Sequence, residues 1–330
     1  MIRLKIIPAE TRINFFRYTT VFFSISSIAV LVSLISYILI GLNYGIDFRG
    51  GTMLMIETPK KVPIESFRAI LGNLNVGDTS VTEISDPAEK LTGGIVSAKK
   101  HLVMIRIEQE ENKEAVQNKK IILVKENLKQ ALDDLKFLQT ESVGGKVSKE
   151  LIIKGIQAVV LAVCAVLFYV WIRFEWQFAL GAVCALVHDV AITIGIFSLL
   201  GLEFNLSIIA ALLTIIGYSL NDTVIIYDRV REKLRKIRSK PLVDVVNLAI
   251  NETLSRTFMT SVTTLLALLS LYILGGEVIR GFTFAMIWGV VVGTFSSIFV
   301  ASALLLKLGV KRDWSKASNN AGTQFGDKID

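Results

Sequence analysis

Asp222 and its neighbour Asn221 lie inside the apolar run Leu206–Tyr227, LSIIAALLTIIGYSLNDTVIIY. At about 1.5 Å per residue, that run is long enough to cross a bilayer as a helix. An ionised carboxylate at mid-membrane costs at least a few kcal/mol, so it is kept there with a partner, a proton or water. The chemistry on offer is ion binding and release. At i, i+4 spacing Thr214, Tyr218 and Asp222 share one face, with Gly217 and Asn221 adjoining it. The plainer alternative is a buried Asp bonded to Asn221, Tyr218 or a threonine.

Two other apolar runs carry possible neighbours. His188-Asp189 is a second acidic site with an adjacent imidazole, and His188 serves equally well as a packing residue. Ser255-Arg256-Thr257 opens a run whose first turns carry Thr260, Ser261, Thr263 and Thr264, hydroxyls suited to ordered water or interhelical hydrogen bonds. Arg256 either reaches inward to a carboxylate or snorkels to the headgroups. Gly289, Gly293 and Ser297, four apart, form a small-residue ridge for helix packing.

The elements that must position these residues are membrane helices. The 330 residues are 52% hydrophobic and 20% charged, too apolar for a soluble protein. Six apolar segments stand out: Thr19–Ile40, Leu151–Ile172, Phe178–Leu200, Leu206–Tyr227, Phe258–Leu274 and Phe282–Leu306. The first resembles a signal peptide but has spanning length and no small-residue cleavage site, so it is expected to be retained. Arg3, Lys5, Arg12 and Arg17 precede it, a basic stretch runs from Arg229 to Lys240, and Lys311, Arg312 and Lys316 follow the sixth. With six spans these all fall on one side, which the positive-inside rule makes cytoplasmic. The net charge of +7 therefore reflects helix flanks, not nucleic-acid binding. The basic 228–257 interval is expected as a cytoplasmic loop, solvated or touching anionic lipid. Residues 1–18 and 307–330 are expected as cytoplasmic termini.

Residues 41–150 then lie on the periplasmic side. Their pattern predicts strands at Thr52–Glu57, Val76–Ile84, Ile95–Ile107 and Lys136–Val143, with helices at Pro63–Leu74 and Glu114–Leu135. That β-α-β-β-α-β order is the ferredoxin-like one, so the fold class expected is six transmembrane helices with a small α+β domain. The two cysteines, Cys164 and Cys184, both sit in apolar runs, so no disulfide framework supports this domain. The loop Gly45-Ile46-Asp47-Phe48-Arg49-Gly50-Gly51 lacks the Lys-Ser/Thr of a phosphate loop. Its chemistry suits a rigid junction in which Asp47 and Arg49 cap or pair locally. Without a nucleotide motif, an ion gradient is the available energy source, and neither metal nor cofactor is expected.

Four segments carry a family resemblance: YGIDFRGG at 44–51, VHDV at 187–190, IIGYSLNDTV at 215–224 running on to DRVRE at 228–232, and NETLSRT at 251–257. On these the chain resembles the SecD/SecF family, membrane subunits of bacterial protein export in the resistance-nodulation-division superfamily. One set of six spans and a small outer domain is similar to the SecF branch. The resemblance implies a bacterial inner-membrane location and a heterodimer with SecD beside the SecYEG channel, with YajC as a further partner. It also implies contact with lipid and with a translocating unfolded polypeptide. By position, Asp222 would be the ion-binding carboxylate and Arg256 the arginine that gates or tunes it, in a coupling subunit rather than an enzyme. Two other readings compete: a small-molecule exporter of the same superfamily, disfavoured by the single set of spans, and a passive scaffold subunit.

Overall fold

The computed structural model describes residues 11–60, 62–74, 76–77, 79–84, 101–107, 114–132, 134–237, 239–276 and 278–310. Arg3, Lys5, Lys311, Arg312, Lys316 and positions 95–100 of the expected third domain strand lie outside the described residues. Among those described, six helices are long and apolar enough to cross a membrane. The first span is a 3-10 turn, Phe15–Tyr18, continued by α1, Thr19–Leu39. The second is α5, Gly145–Arg173, and the third is α6, Trp176–Leu200. The fourth is α7, Leu206–Lys236, and the fifth is α8, Leu242–Leu274. The sixth joins α9, Arg280–Ser296, through a π turn, Ser297–Ala301, to α10, Ser302–Leu308. The chain is a multi-pass membrane protein.

Two expectations need correction. The 228–257 interval is helical on both sides of a short break near 237–241, because the fourth and fifth helices continue past their apolar runs. Ion pairs replace hydrocarbon there: Lys236 bridges Glu232 one turn away at 2.7 Å, and Glu252 takes Arg229 at 2.5 Å and Lys233 at 2.6 Å. The Gly45–Gly51 junction also contains a helical turn, α2, Ile46–Arg49, flanked by β1, Asn43–Tyr44.

The small domain follows the expected order. Its strands β2 (Gly51–Thr58), β3 (Thr79–Ile84), β4 (His101–Ile107) and β5 (Lys136–Val143) form an antiparallel sheet in the order β3-β4-β2-β5. The helices α3, Ile64–Gly72, and α4, Glu114–Ala131, share one core with it, in which Leu54, Ile56 and Ile105 meet Phe67, Leu71, Val124 and Leu128. Alternation decides this: Leu54 and Ile56 point to the helices, whereas Met53 and Met55 line a cavity of about 790 Å³ facing the ends of the spans.

Within the membrane the third, fourth and sixth spans form the centre. The third and sixth are the most buried, while the second and fifth are almost wholly peripheral. The Gly289–Gly293 ridge packs inside the chain. A side chain at Gly289 would run into Ile215, and one at Gly293 would stand 3.0 Å from Ser219 Cβ. Ser297 opens the π turn, donating to the Thr294 carbonyl at 3.0 Å.

Candidate ion site and its surroundings

Asp222 is 1% exposed in the middle of the fourth span, and neither carboxylate oxygen receives a hydrogen bond from any described residue. The Arg256 guanidinium on the fifth span acts on it electrostatically without bonding to it. Two other buried hydroxyls without a hydrogen-bond partner among the described residues lie on these helices, Tyr218 one turn before Asp222 and Thr257 next to Arg256. Arg256 is exposed and lines a cleft of about 480 Å³ with Arg173, Asp228, Arg229 and Glu252, on the side away from the small domain. Arg256 is thus shared between this charged cleft and the electrostatic surroundings of the buried Asp222.

Asn221 does not join the site. It is exposed, as are Gly217 and Thr214, so the face expected to surround Asp222 is split. The shared face holds only in part: Tyr218 turns inward, and Thr214 turns out and donates to its own helix at Ala210. The fifth-span hydroxyls are divided too. Ser261 and Thr294 pair across to the sixth span at 2.8 Å, while Thr260 and Thr263 bond back to backbone carbonyls.

Asp189, by contrast, is fully engaged. It is 1% exposed and accepts from Ser219 at 2.6 Å, Ser296 at 2.8 Å and His188 Nδ1 at 2.9 Å. His188 Nε2 meets Ser26 Oγ at 2.6 Å. With His188 Nδ1–H donating to Asp189, Nε2 is free to accept from the Ser26 hydroxyl, and each polar atom of the pair has a partner. The network ties the first, third, fourth and sixth spans together. No hydrogen bond joins it to Asp222 among the described residues, so the structure separates the two acids that the sequence had as partners.

Sequence reasoning missed the serines. The buried side chains of α1 are Ser26, Ser33 and Ser36. Ser26 meets His188, Ser36 donates to Ser198 at 3.1 Å, and Ser33 fills the space that a side chain at Gly195 would need. Their shared face on an apolar helix was the available signal.

The glycine junction holds the outer end of the fourth span. β1 pairs in parallel with β6, Glu203–Phe204, in the turn between the third and fourth spans. Asp47 Oδ2 accepts from the Leu206 amide at 2.8 Å, capping α7 from a distant segment. Arg106 of β4 pairs with Glu203. Burial pushes the Glu203 carboxyl above its usual range, and the Arg106 charge offsets part of that rise. Phe48 joins Tyr44 and Phe204 in an aromatic cluster, and Gly50, at φ +76°, lies so close to Gly145 that a Cβ would stand 3.0 Å from its Cα. Arg49 is exposed and Gly51, at φ 128°, starts β2.

These motif positions coincide with matches to known proteins. The family described as "Protein export membrane protein SecD/SecF, C-terminal" matches residues 123–311, and the SecD/SecF GG motif matches 39–58. The chain belongs to the SecD/SecF family. It is 47% identical over 323 residues to the protein translocase subunit SecF of Cereibacter sphaeroides, covering 98% of each chain. It is 45% identical to the SecF of Rhodobacter capsulatus, covering 95% of this chain and 94% of that one. Among solved structures, SecDF from Thermus thermophilus overlays with a TM-score of 0.80 at 33% identity, over 93% of this chain and 40% of that one. SecDF in a super-membrane-facing form gives 0.62 at 34% identity over the same shares. The chain thus spans less than half the length of the SecDF chains and nearly all of the SecF relatives.

Proposed function

We propose that this chain is a SecF-type subunit of the Sec translocase that pairs with SecD and couples cation flow down the transmembrane gradient to polypeptide export. The observation that carries this reading is Asp222, a buried carboxylate with no hydrogen-bond partner among the described residues, under the charge of Arg256, which itself lines a charged cleft. A lone carboxylate in that setting carries a penalty of several kcal/mol, which a bound proton or cation removes. Binding and release are thereby linked to the arrangement of the fourth and fifth spans. One charge crossing about 100 mV is worth about 2.3 kcal/mol. That exceeds the ~1.4 kcal/mol that shifts an equilibrium tenfold.

Two further observations support movement and orientation. The two SecDF structures differ in TM-score by 0.80 against 0.62 at nearly equal identity and coverage, so arrangement rather than sequence separates them. Arg12, Arg17 and the basic residues Arg229–Lys236 flank the spans at the ends opposite the small domain, and the positive-inside rule supports a cytoplasmic side there and a periplasmic side for residues 41–150. In the same reading Asp189 and His188 hold the spans in register, and SecYEG receives the complex.

The test uses inverted membrane vesicles holding the full translocase, with a proton or a sodium gradient imposed separately. Export stimulated by one gradient and lost in Asp222→Asn, with SecD still co-purifying, is the expected result and names the ion. Normal gradient-stimulated export by Asp222→Asn would leave the scaffold reading in its place.

A further inference from the structure

We infer that a groove between the first, second and third spans binds one acyl chain of a phospholipid from the leaflet on the small-domain side. The cavity measures about 570 Å³, within the range of small-molecule sites. Its floor is the third span, where Val187, Val190, Ala191 and Ile194 face outward between two flanking helices. The first span is fastened to one side of that floor by its serine contacts. The second span is held on the other side, near its start, where Gly155 is too close to Ile209 to admit a side chain. Small groups at these two contacts draw each helix in, and the groove is the space left between them.

Its length decides the occupant. Along the second span the lining runs from Ile152 to Cys164, about 18 Å at 1.5 Å per residue. Half of a hydrocarbon core of about 30 Å is about 15 Å, one leaflet. A partner's membrane helix would require a groove of full membrane depth, whereas this one is roofed at the level of the junction by Tyr44, Phe48 and Phe204. A leaflet-length apolar chain matches both limits. The rims that face the bilayer, Leu34, Ile156 and Val160, are exposed and apolar, so a chain enters sideways without passing a polar barrier. Tyr37 and Tyr44 both line the groove towards its roof and are the phenolic groups available to an ester or headgroup at interface depth.

The experiment uses the full-length protein in vesicles of phosphatidylethanolamine and phosphatidylglycerol containing a phosphatidylglycerol with a diazirine on its acyl chain. After illumination, peptide mass spectrometry locates the adducts. The expected result is labelling concentrated on Val159, Val163 and Ile194 over the equally apolar Leu161 and Phe168, which face lipid outside the groove. Ala191→Phe from the floor and Val160→Trp from the wall each fill the groove, and each lowers that labelling by at least about tenfold, the loss of a bound chain's methylene contacts. The two variants approach from different helices, so misfolding of one leaves the other as the test. Labelling spread evenly over all lipid-facing positions, or unchanged in both variants, overturns the inference. So does protection of the groove by co-expressed SecD, which would make it a protein interface.

Discussion

Ser219 donates its hydroxyl to Asp189 across the fourth and third spans, three residues before the unbonded Asp222 on the same helix. One helix thus carries, within a single turn, the partner of a satisfied acid and an acid left open. The contrast predicts that the two acids respond differently to substitution.

Asp189→Asn removes the ionic acceptor of three hydrogen bonds and should lower stability by about 1.5–3 kcal/mol. Asp222→Asn removes no hydrogen bond and should leave stability unchanged or raised while abolishing coupling. Thermal unfolding of the purified variants, followed by tryptophan fluorescence, checks this. A stable Asp189→Asn alongside an unstable Asp222→Asn would reverse the assignment.

Gly195→Ala should loosen the first span, because its methyl meets Ser33 and overpacking typically costs about 1–3 kcal/mol. Gly72→Ala, with nothing within 4 Å in the small domain, should shift stability by no more than about 1 kcal/mol and is the control. The double variant Gly195→Ala with Ser33→Gly should recover most of the loss. Failure of that rescue, read from the unfolding midpoint, would place the damage elsewhere.

The Glu203 carboxyl is raised by burial, so folding favours its protonated form. For such an acid the advantage is complete below the unfolded value near 4.3 and is lost as pH rises through the elevated folded value. Each unit of elevation is worth about 1.4 kcal/mol, discounted here because the side chain retains some exposure. Wild type should therefore lose stability relative to Glu203→Gln as pH rises above about 4, the unfolded value. A stability difference that does not change with pH would show that the Arg106 pairing cancels the burial effect.

Asn221, Gly217 and Thr214 form an exposed stripe of polar and small residues on the fourth span. An amide facing hydrocarbon is better placed against another helix, and under the proposed pairing SecD would cover that face. Gly217→Leu should reduce SecD recovered with the chain by about tenfold or more, equivalent to ~1.4 kcal/mol. Leu161→Ala on a lipid-facing helix should not. Equal recovery from both variants would move the interface to another face.

Much of the architecture was legible beforehand. Spanning length and the β-α-β-β-α-β order follow from local hydropathy and periodicity, which are properties of contiguous sequence. Asp222 was legible because a charge in hydrocarbon is an energetic anomaly wherever its helix packs. The partition around it was not. Whether Asn221 faces inward, whether Asp189 meets Asp222 or Ser219, and where three serines of the first span go depend on helix rotation and on neighbours more than a hundred residues away. The extent of the fourth and fifth helices was hidden for another reason: their ends are held by ion pairs, which a search for apolar runs passes over.

The cap on the fourth span by Asp47 has a mechanical corollary. From Leu206 to Asp222 the helix advances 16 residues, about 24 Å, and an α-helix resists stretching along its axis. The junction that grips its first turn also begins β2, the central strand of the small domain's sheet. Rod and blade share one fastening, so any shift of the rod along its axis would pull directly on the strand at the centre of the blade.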